Sequence, residues 1–292
     1  MVTAAPEIDR TIRLQEGRQM AYSEWGALDG DPVVFLHGSP GSRLLCPDEH
    51  ATESAGVRLI TIDRPGYGRS DPRPSGALVD WPDDYVELAD QLHLPPCPVV
   101  GWSGGGRYAL ALGFRAPDLV TAIGVAGTPG PIDQVPGALD QLSLEDRDIR
   151  ALLARDRAAG LAAIVKNFAW FAGNGWKSIF AESWGDADDS VLGRPEVLAA
   201  MKAFTLEGAR QGPAGFAADE MAWILPWGFA VTAIRQPVHV WHGASDVQVG
   251  PANADYFARS IPRVSRVTFR NAGHLLPIIH WAEMLDAVLR SR

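Results

Sequence analysis

The serine at position 103 has the neighbours expected of a catalytic nucleophile. Residues 101–105 read Gly-Trp-Ser-Gly-Gly, a G-x-S-x-G pattern, between an apolar run of strand type (98–100) and a helical spacing over 108–114. A serine in a sharp strand-to-helix turn needs small residues two positions before and after it, and here both are glycine. The following helix would direct its free N–H groups towards the serine oxygen. The pattern predicts a nucleophile elbow; the alternative is a glycine-rich loop with an incidental serine.

A serine hydroxyl becomes a good nucleophile only when a base takes its proton, and the base needs a carboxylate to orient it. Two later loops supply these groups. Asp246 follows one predicted strand in Gly-Ala-Ser-Asp, and His274 follows the next in Asn-Ala-Gly-His. The order Ser103, Asp246, His274 is the one that accompanies this type of elbow. We therefore predict that these three residues are catalytic.

Other residues could fill the same two roles. His242 is the main rival base, but it lies within the strand before Asp246 and is interpreted as structural. Asp133 follows the apolar strand 120–126 and is the conceivable substitute for the acid. Asp63 is expected to cap its own turn instead.

Acyl transfer also needs hydrogen-bond donors for the oxyanion of the tetrahedral intermediate. The backbone N–H of Gly104, which follows the nucleophile, is one expected donor. The loop His-Gly-Ser-Pro-Gly at 37–41 follows an apolar strand, and the N–H of Ser39 is the second. Trp102, beside the nucleophile, and His37 are predicted to line the substrate pocket.

Strand and helix patterns alternate along most of the chain, and the candidate residues fall in loops after strands. In such sheets the carboxyl ends of the strands carry the chemistry. An antiparallel hairpin is predicted at the start of the chain. The predicted strands are 11–15, 20–25, 32–36, 57–62, 98–100, 120–126, 238–242 and 264–269, and the helices between them are 48–55, 80–92, 251–260 and 279–290.

The alternation stops between about residues 128 and 230, where helical spacings prevail. Three helices are predicted there, at 143–157, 160–171 and 195–207. We therefore predict an α/β core formed by residues 1–127 and 231–292, interrupted by a helical cap (lid) at 128–230.

Composition limits the classes of partner. The 292 residues are 47% hydrophobic, as in a globular protein, and the formal charge of −9 offers no basic surface for nucleic acid. No run is long enough to span a bilayer, and no secretion signal is evident. The two cysteines fit neither a disulfide framework nor a metal site. We expect a cytoplasmic protein that binds a small molecule, without nucleic acid, membrane or metal.

Taken together, the motifs resemble those of the α/β-hydrolase fold family. The resemblance rests on 37–41, on Asp-Arg-Pro-Gly-Tyr-Gly-Arg-Ser at 63–70, on 101–105, on Gly243 with Asp246, and on Gly273 with His274. It implies a mostly parallel eight-stranded sheet with helices on both faces, an inserted helical cap, a Ser-His-Asp triad and no cofactor. The family includes esterases, lactonases, peptidases and enzymes that break C–C or C–halogen bonds, so the resemblance leaves the substrate open.

The serine at the nucleophile position favours acyl transfer over the aspartate-based chemistry of epoxide hydrolases and dehalogenases, whose HGxPG stretch is similar. The aromatic residues of 128–230 are expected to form a small core there and, in part, an apolar pocket. They are Phe168, Trp170, Phe171, Trp176, Phe180, Trp184, Phe204, Phe216, Trp223, Trp227 and Phe229.

We therefore predict a serine hydrolase that cleaves a carboxylic ester or lactone of a hydrophobic small molecule through an acyl-enzyme. Three alternatives stay open. One is a proline-iminopeptidase-like aminopeptidase, in which Glu182, Glu207 or Glu220 would hold the substrate ammonium. The others are a cofactor-free C–C bond hydrolase and a ligand-binding protein on the hydrolase fold.

Overall fold

Eight strands form one sheet in the computed structural model, which describes residues 5–73, 76–173, 180 and 182–291, without the side chains of 141 and 170–173. The strands are β1 (Ile8–Arg13), β2 (Gln19–Gly26), β3 (Asp31–Leu36), β4 (Val57–Ile62), β5 (Cys97–Trp102), β6 (Val120–Ala126), β7 (Val238–Gly243) and β8 (Val264–Phe269). Their order is β1-β2-β4-β3-β5-β6-β7-β8. β2 pairs antiparallel with β1 and β4, and all other pairs are parallel.

Helices cover both faces of this sheet. The core helices are α1 (Glu49–Ser54), α2 (Trp81–Gln91), α3 (Gly104–Arg115), α10 (Ala252–Ser260) and α11 (Leu276–Leu289). One apolar cluster packs α2, α3 and α10 against the sheet, and a second packs α1 and α11 against the opposite face. Because both faces are covered, the central strands are largely apolar, and every residue of β5 is buried. The predicted fold class is confirmed.

Between β6 and β7 the chain forms helices and no strand among its described residues. They are α4 (Ala138–Gln141), α5 (Leu144–Arg155), α6 (Arg157–Gly173), α7 (Asp186–Leu192), α8 (Pro195–Gly208) and α9 (Ala214–Ile224). We call residues 128–230 the helical segment. The three helices predicted there correspond to α5, α6 and α8, whereas α4, α7 and α9 were not predicted.

Some aromatic residues of the helical segment pack into the apolar clusters of the protein, and others line a cavity. Phe204 and Trp227 are buried in the two main clusters, and Phe168 stacks on Phe216 with ring centroids 5.0 Å apart. Trp176 lies outside the described residues, as do the side chains of 170 and 171. Some of these residues are therefore core residues, as predicted, and others face a cavity.

Candidate active site

Ser103 occupies the turn between β5 and α3, with φ 52° and ψ −123°. A non-glycine residue in this region of positive φ is strained, and such strain concentrates at functional sites. The neighbouring glycines are required by close packing: a methyl group at Gly105 would lie 2.1 Å from the carbonyl oxygen of Leu36. The sharp turn therefore depends on contact between α3 and the end of β3, and it presents Ser103 at the carboxyl edge of the sheet.

His274 and Asp246 lie on the loops after β8 and β7. His274 Nδ1 is 2.9 Å from Asp246 Oδ2, and both side chains are buried. Asp246 also accepts hydrogen bonds of 2.9 Å from the N–H groups of Gln248 and Val249. Burial alone would raise the pKa of Asp246, but His274 and these donors outweigh it and lower the pKa below its usual value. Asp246 is thus held as a carboxylate that can accept the Nδ1 proton and leave Nε2 of His274 free to act as a base.

The end of β6 packs against both Ser103 and this pair. The N–H of Ser103 donates to Ala126 O at 2.8 Å, at the end of β6. The next residue, Gly127, packs so closely that a methyl group there would lie 3.1 Å from His274 Nδ1 and 3.2 Å from Asp246 Oδ2. Trp102 Nε1 donates to His274 O at 2.8 Å. Three loops at one edge of the sheet therefore converge on the predicted catalytic residues.

The loop after β3 lies against the nucleophile. A methyl group at Gly38 would lie 3.2 Å from Ser103 Cβ, and one at Gly104 would lie 2.1 Å from Ser39 Oγ. Gly104 is the first residue of α3, so its N–H has no acceptor within the helix. Ser39 and Gly104 are thus adjacent beside Ser103, as a pair of oxyanion donors would have to be.

A cavity of about 320 Å³ opens on Ser103, Ser39 and Gly104. Its apolar wall includes Phe168, Phe216 and Trp223 from the helical segment, and its polar groups include Arg107, Asp219 and Glu220. The volume is at the lower end of the roughly 300–1,000 Å³ found for small-molecule sites. The helical segment and the core together enclose a space suited to a small ligand.

Two residues predicted to line the pocket lie behind it. The His37 ring is buried between Tyr67 and Phe204, and its Nε2 accepts from the N–H of Arg64 at 3.2 Å. Burial and Arg64 lower the pKa of His37 well below its usual value. Trp102 is buried against His274 and Phe204. Neither is among the residues that line the cavity, because their rings pack under the catalytic loops and support them.

The rival acids and base lie elsewhere. Asp133 is exposed on the surface. Asp63 is buried and accepts from the N–H groups of Arg43 at 2.6 Å and Arg69 at 2.8 Å, which matches its expected role in its own turn. His242 is buried in β7, and burial lowers its pKa.

Sequence reasoning missed Asp188, a residue of α7 that touches the catalytic loop from outside the sheet. Its carboxylate accepts from the N–H of His274 at 2.6 Å and of Leu275 at 2.9 Å, and its side chain is buried. Burial raises its pKa, although the two N–H groups oppose the rise. Nothing in the local sequence marks this carboxylate, since its partners lie 86 residues or more away.

We expect Asp188→Ala to lower both stability and kcat. The change leaves two buried N–H groups without an acceptor, which costs about 1–3 kcal/mol for each group, and it frees the loop that carries His274. Chemical denaturation and steady-state kinetics measure the two effects. Asp186→Ala, an exposed change on the same helix, is the matched control and should alter stability by less than about 0.5 kcal/mol. Equal effects of Asp188→Ala and Asp186→Ala on stability and kcat would contradict this role of Asp188.

Among the residues that the structure describes, no group of three or more His, Cys, Asp or Glu side chains is arranged to hold a metal ion. Within the same ranges, no helix has the length and apolar character needed to cross a membrane.

The comparisons with known proteins agree on one family. The model of the alpha/beta hydrolase family matches residues 33–287. A non-heme chloroperoxidase of Streptomyces lividans is 35% identical over 157 residues, which are 51% of this chain and 55% of that protein. A 2-hydroxymuconate semialdehyde hydrolase of Pseudomonas sp. strain CF600 is 33% identical over 146 residues, which are 47% of this chain and 49% of that protein. The chain thus spans about half the length of these curated relatives.

Solved structures share the fold over nearly the whole length. An esterase (EaEST) from Exiguobacterium antarcticum has a TM-score of 0.68 and 20% identity, with 97% of this chain and 98% of that chain covered. At this identity the likeness concerns the architecture alone.

Proposed function

Because this chain belongs to the α/β-hydrolase family of enzymes, we propose that it is a serine hydrolase that cleaves a carboxylic ester or lactone of a small molecule through an acyl-enzyme. The observation that carries the proposal is the strained Ser103, which opens on the cavity beside the hydrogen-bonded His274–Asp246 pair. A binding protein would have no need of this combination.

In the proposed mechanism, Ser103 Oγ attacks the carbonyl carbon while His274 Nε2 accepts its proton. Asp246 holds the tautomer of His274 and stabilises the positive charge that forms on the ring. The N–H groups of Ser39 and Gly104 stabilise the oxyanion, and His274 then protonates the leaving oxygen. A water molecule, deprotonated by His274, attacks the acyl-enzyme and restores Ser103.

We further propose that the helical segment acts as a cap that selects the acyl group. Phe168, Phe216 and Trp223 give the cavity an apolar wall, which favours a largely hydrophobic acyl chain. The volume of about 320 Å³ favours an acyl group of modest size. The second candidate function is an aminopeptidase, because Glu220 lines the cavity with a carboxylate that could face a substrate ammonium. Of the other two glutamates considered for that role, Glu207 pairs with Arg43 and Glu182 is exposed.

A panel of aryl esters of increasing acyl length, together with a prolyl arylamide, tests these functions. We expect turnover of the esters and a length optimum, since chains longer than the cavity gain no further contact with its apolar wall. Cleavage of the prolyl arylamide in preference to every ester would overturn the esterase proposal in favour of the aminopeptidase.

A further inference from the structure

Arg107 is a buried cation with few protein partners. It lies on α3, four residues after Ser103, and its side chain lines the cavity. Its hydrogen bonds go to two backbone carbonyls, Gly104 O at 3.4 Å and Asp219 O at 3.3 Å, both longer than the usual N–H···O distance. In the described part of the chain it forms no ion pair within 4.0 Å. A guanidinium with five donors therefore keeps unmet hydrogen-bonding capacity at the catalytic cavity.

Glu220 is a second ionisable group in the lining of the same cavity. It belongs to α9 and lines the same cavity, and its Oε1 is buried with no hydrogen-bond partner among the described residues. A buried polar atom left without a partner is costly, and such atoms in native proteins call for an explanation. Burial raises the pKa of Glu220 to about 7, with Asp146, Asp219 and Glu145 adding to the rise and Arg107 opposing it.

Asp219, the other carboxylate of the cavity lining, is already paired. Asp219 accepts from Arg64, Tyr67, Tyr108 and Ser39, so its carboxylate is fully engaged. Arg107 and Glu220 therefore remain as a cation and a carboxyl group of the cavity lining with unmet hydrogen-bonding capacity. A neutral group that accepts from Arg107 and donates to Glu220 satisfies both, whereas an anion suits only Arg107 and a cation suits only Glu220.

We infer that Arg107 and Glu220 form a polar subsite beside Ser103 that binds a neutral donor–acceptor group of the substrate, of the carboxamide type. The inference rests on the proposed function and refines it. The substrate is then an ester or lactone that is largely hydrophobic but carries one such group within reach of the scissile carbonyl. An apolar analogue of the same size forms no hydrogen bond with Arg107 or Glu220, so we expect it to be a poorer substrate.

Binding of simple ligands tests the subsite without any catalysis. Hexanamide, hexanoate and hexylammonium are titrated into Ser103→Ala, and into Ser103→Ala with Glu220→Met added, by calorimetry. We expect hexanamide to bind most tightly and to lose at least about tenfold in affinity when Glu220 becomes methionine. The matched control is Glu196→Met, an exposed change in the same segment, which should leave the affinity as it was. Tighter binding of hexanoate or hexylammonium, or no response to Glu220→Met, would overturn the inference.

Kinetics on wild-type enzyme separates this inference from the proposed function. We compare 4-nitrophenyl adipamate with the isosteric 6-methylheptanoate ester, after subtracting spontaneous hydrolysis. A preference for the adipamate on the order of tenfold to a hundredfold in kcat/KM supports the subsite. Equal hydrolysis of both esters contradicts the subsite and leaves the esterase proposal standing. Binding of hexanamide with no ester hydrolysed would support the subsite and contradict the esterase.

Discussion

Ser103→Ala is expected to reduce kcat for aryl ester hydrolysis by about 10⁴-fold or more, with little change in KM. The reason is that the covalent route is lost entirely, while the oxyanion donors and the cavity still bind the substrate. The residual rate then comes from attack by water within an intact site. Steady-state kinetics with the preferred ester of the panel measures the effect.

The control for this prediction is Ser54→Ala, an exposed serine at the end of α1 far from the carboxyl edge of the sheet. It should retain wild-type kcat. Retention of a tenth or more of the activity by Ser103→Ala, at unchanged purity and folding, would exclude Ser103 as the nucleophile.

Asp219→Ala is expected to destabilise the protein by about 3–5 kcal/mol, the cost typical of removing one partner of a buried ion pair. Asp219 is 4% exposed and binds Arg64, which is fully buried. It also accepts from Tyr67 at 2.6 Å and Tyr108 at 3.0 Å. The substitution leaves the guanidinium and two hydroxyls without their common acceptor.

Removal of the Asp219 carboxylate should also affect catalysis, because of where Asp219 lies in the fold. It lies on α9 of the helical segment, while Ser39, Arg64 and Tyr108 come from the loops after β3 and β4 and from α3. One carboxylate therefore joins the helical segment to the oxyanion loop and to the helix of the nucleophile. We expect kcat to fall together with stability in Asp219→Ala.

The stability that Asp219 provides should depend on pH in a defined direction. Burial alone would raise its pKa, but Arg64 and Arg107 outweigh burial and hold the pKa well below its usual value. A carboxylate with a lowered pKa in the folded state stabilises the protein above its unfolded pKa and loses that contribution as the pH falls. The difference in unfolding free energy between wild type and Asp219→Asn should therefore be largest near neutral pH and shrink below about pH 3.8.

Asp90→Asn, an exposed change on α2, serves as the control for charge removal and should show almost no difference at any pH. If the difference in unfolding free energy between wild type and Asp219→Asn stays constant from neutral to acid pH, the ion-pair explanation is contradicted.

The residues that the sequence singles out as catalytic candidates share a local signal. Ser103, Asp246 and His274 each follow a short apolar strand in a loop that contains glycine, so the strand pattern and the loop composition point to them together. The sheet order could be expected because parallel strands with helical crossovers allow few arrangements. Observed strand and helix ends differ from the predicted ones by a few residues, as terminal turns usually do.

The parts that were missed depend on tertiary contacts. Asp188 and Asp219 belong to α7 and α9, which are short helices that the sequence pattern did not single out. Asp219 matters because of Arg64, which is 155 positions away, and no spacing rule connects the two. His37 and Trp102 were placed in the pocket because they flank the catalytic loops, but large rings in such loops are as well suited to pack beneath them. Their side-chain direction follows from neighbours such as Phe204 on α8.

Covalent labelling tests the central claim most directly. The protein is incubated with an aryl-substituted fluorophosphonate, which reacts with an activated serine, and the modified residue is identified by peptide mass spectrometry. We expect one adduct, on Ser103, with a labelling rate that falls sharply in His274→Ala and Asp246→Asn and with a parallel loss of ester hydrolysis. Hydrolysis that continues after complete labelling of Ser103, or an adduct on another residue that alone abolishes activity, would contradict it.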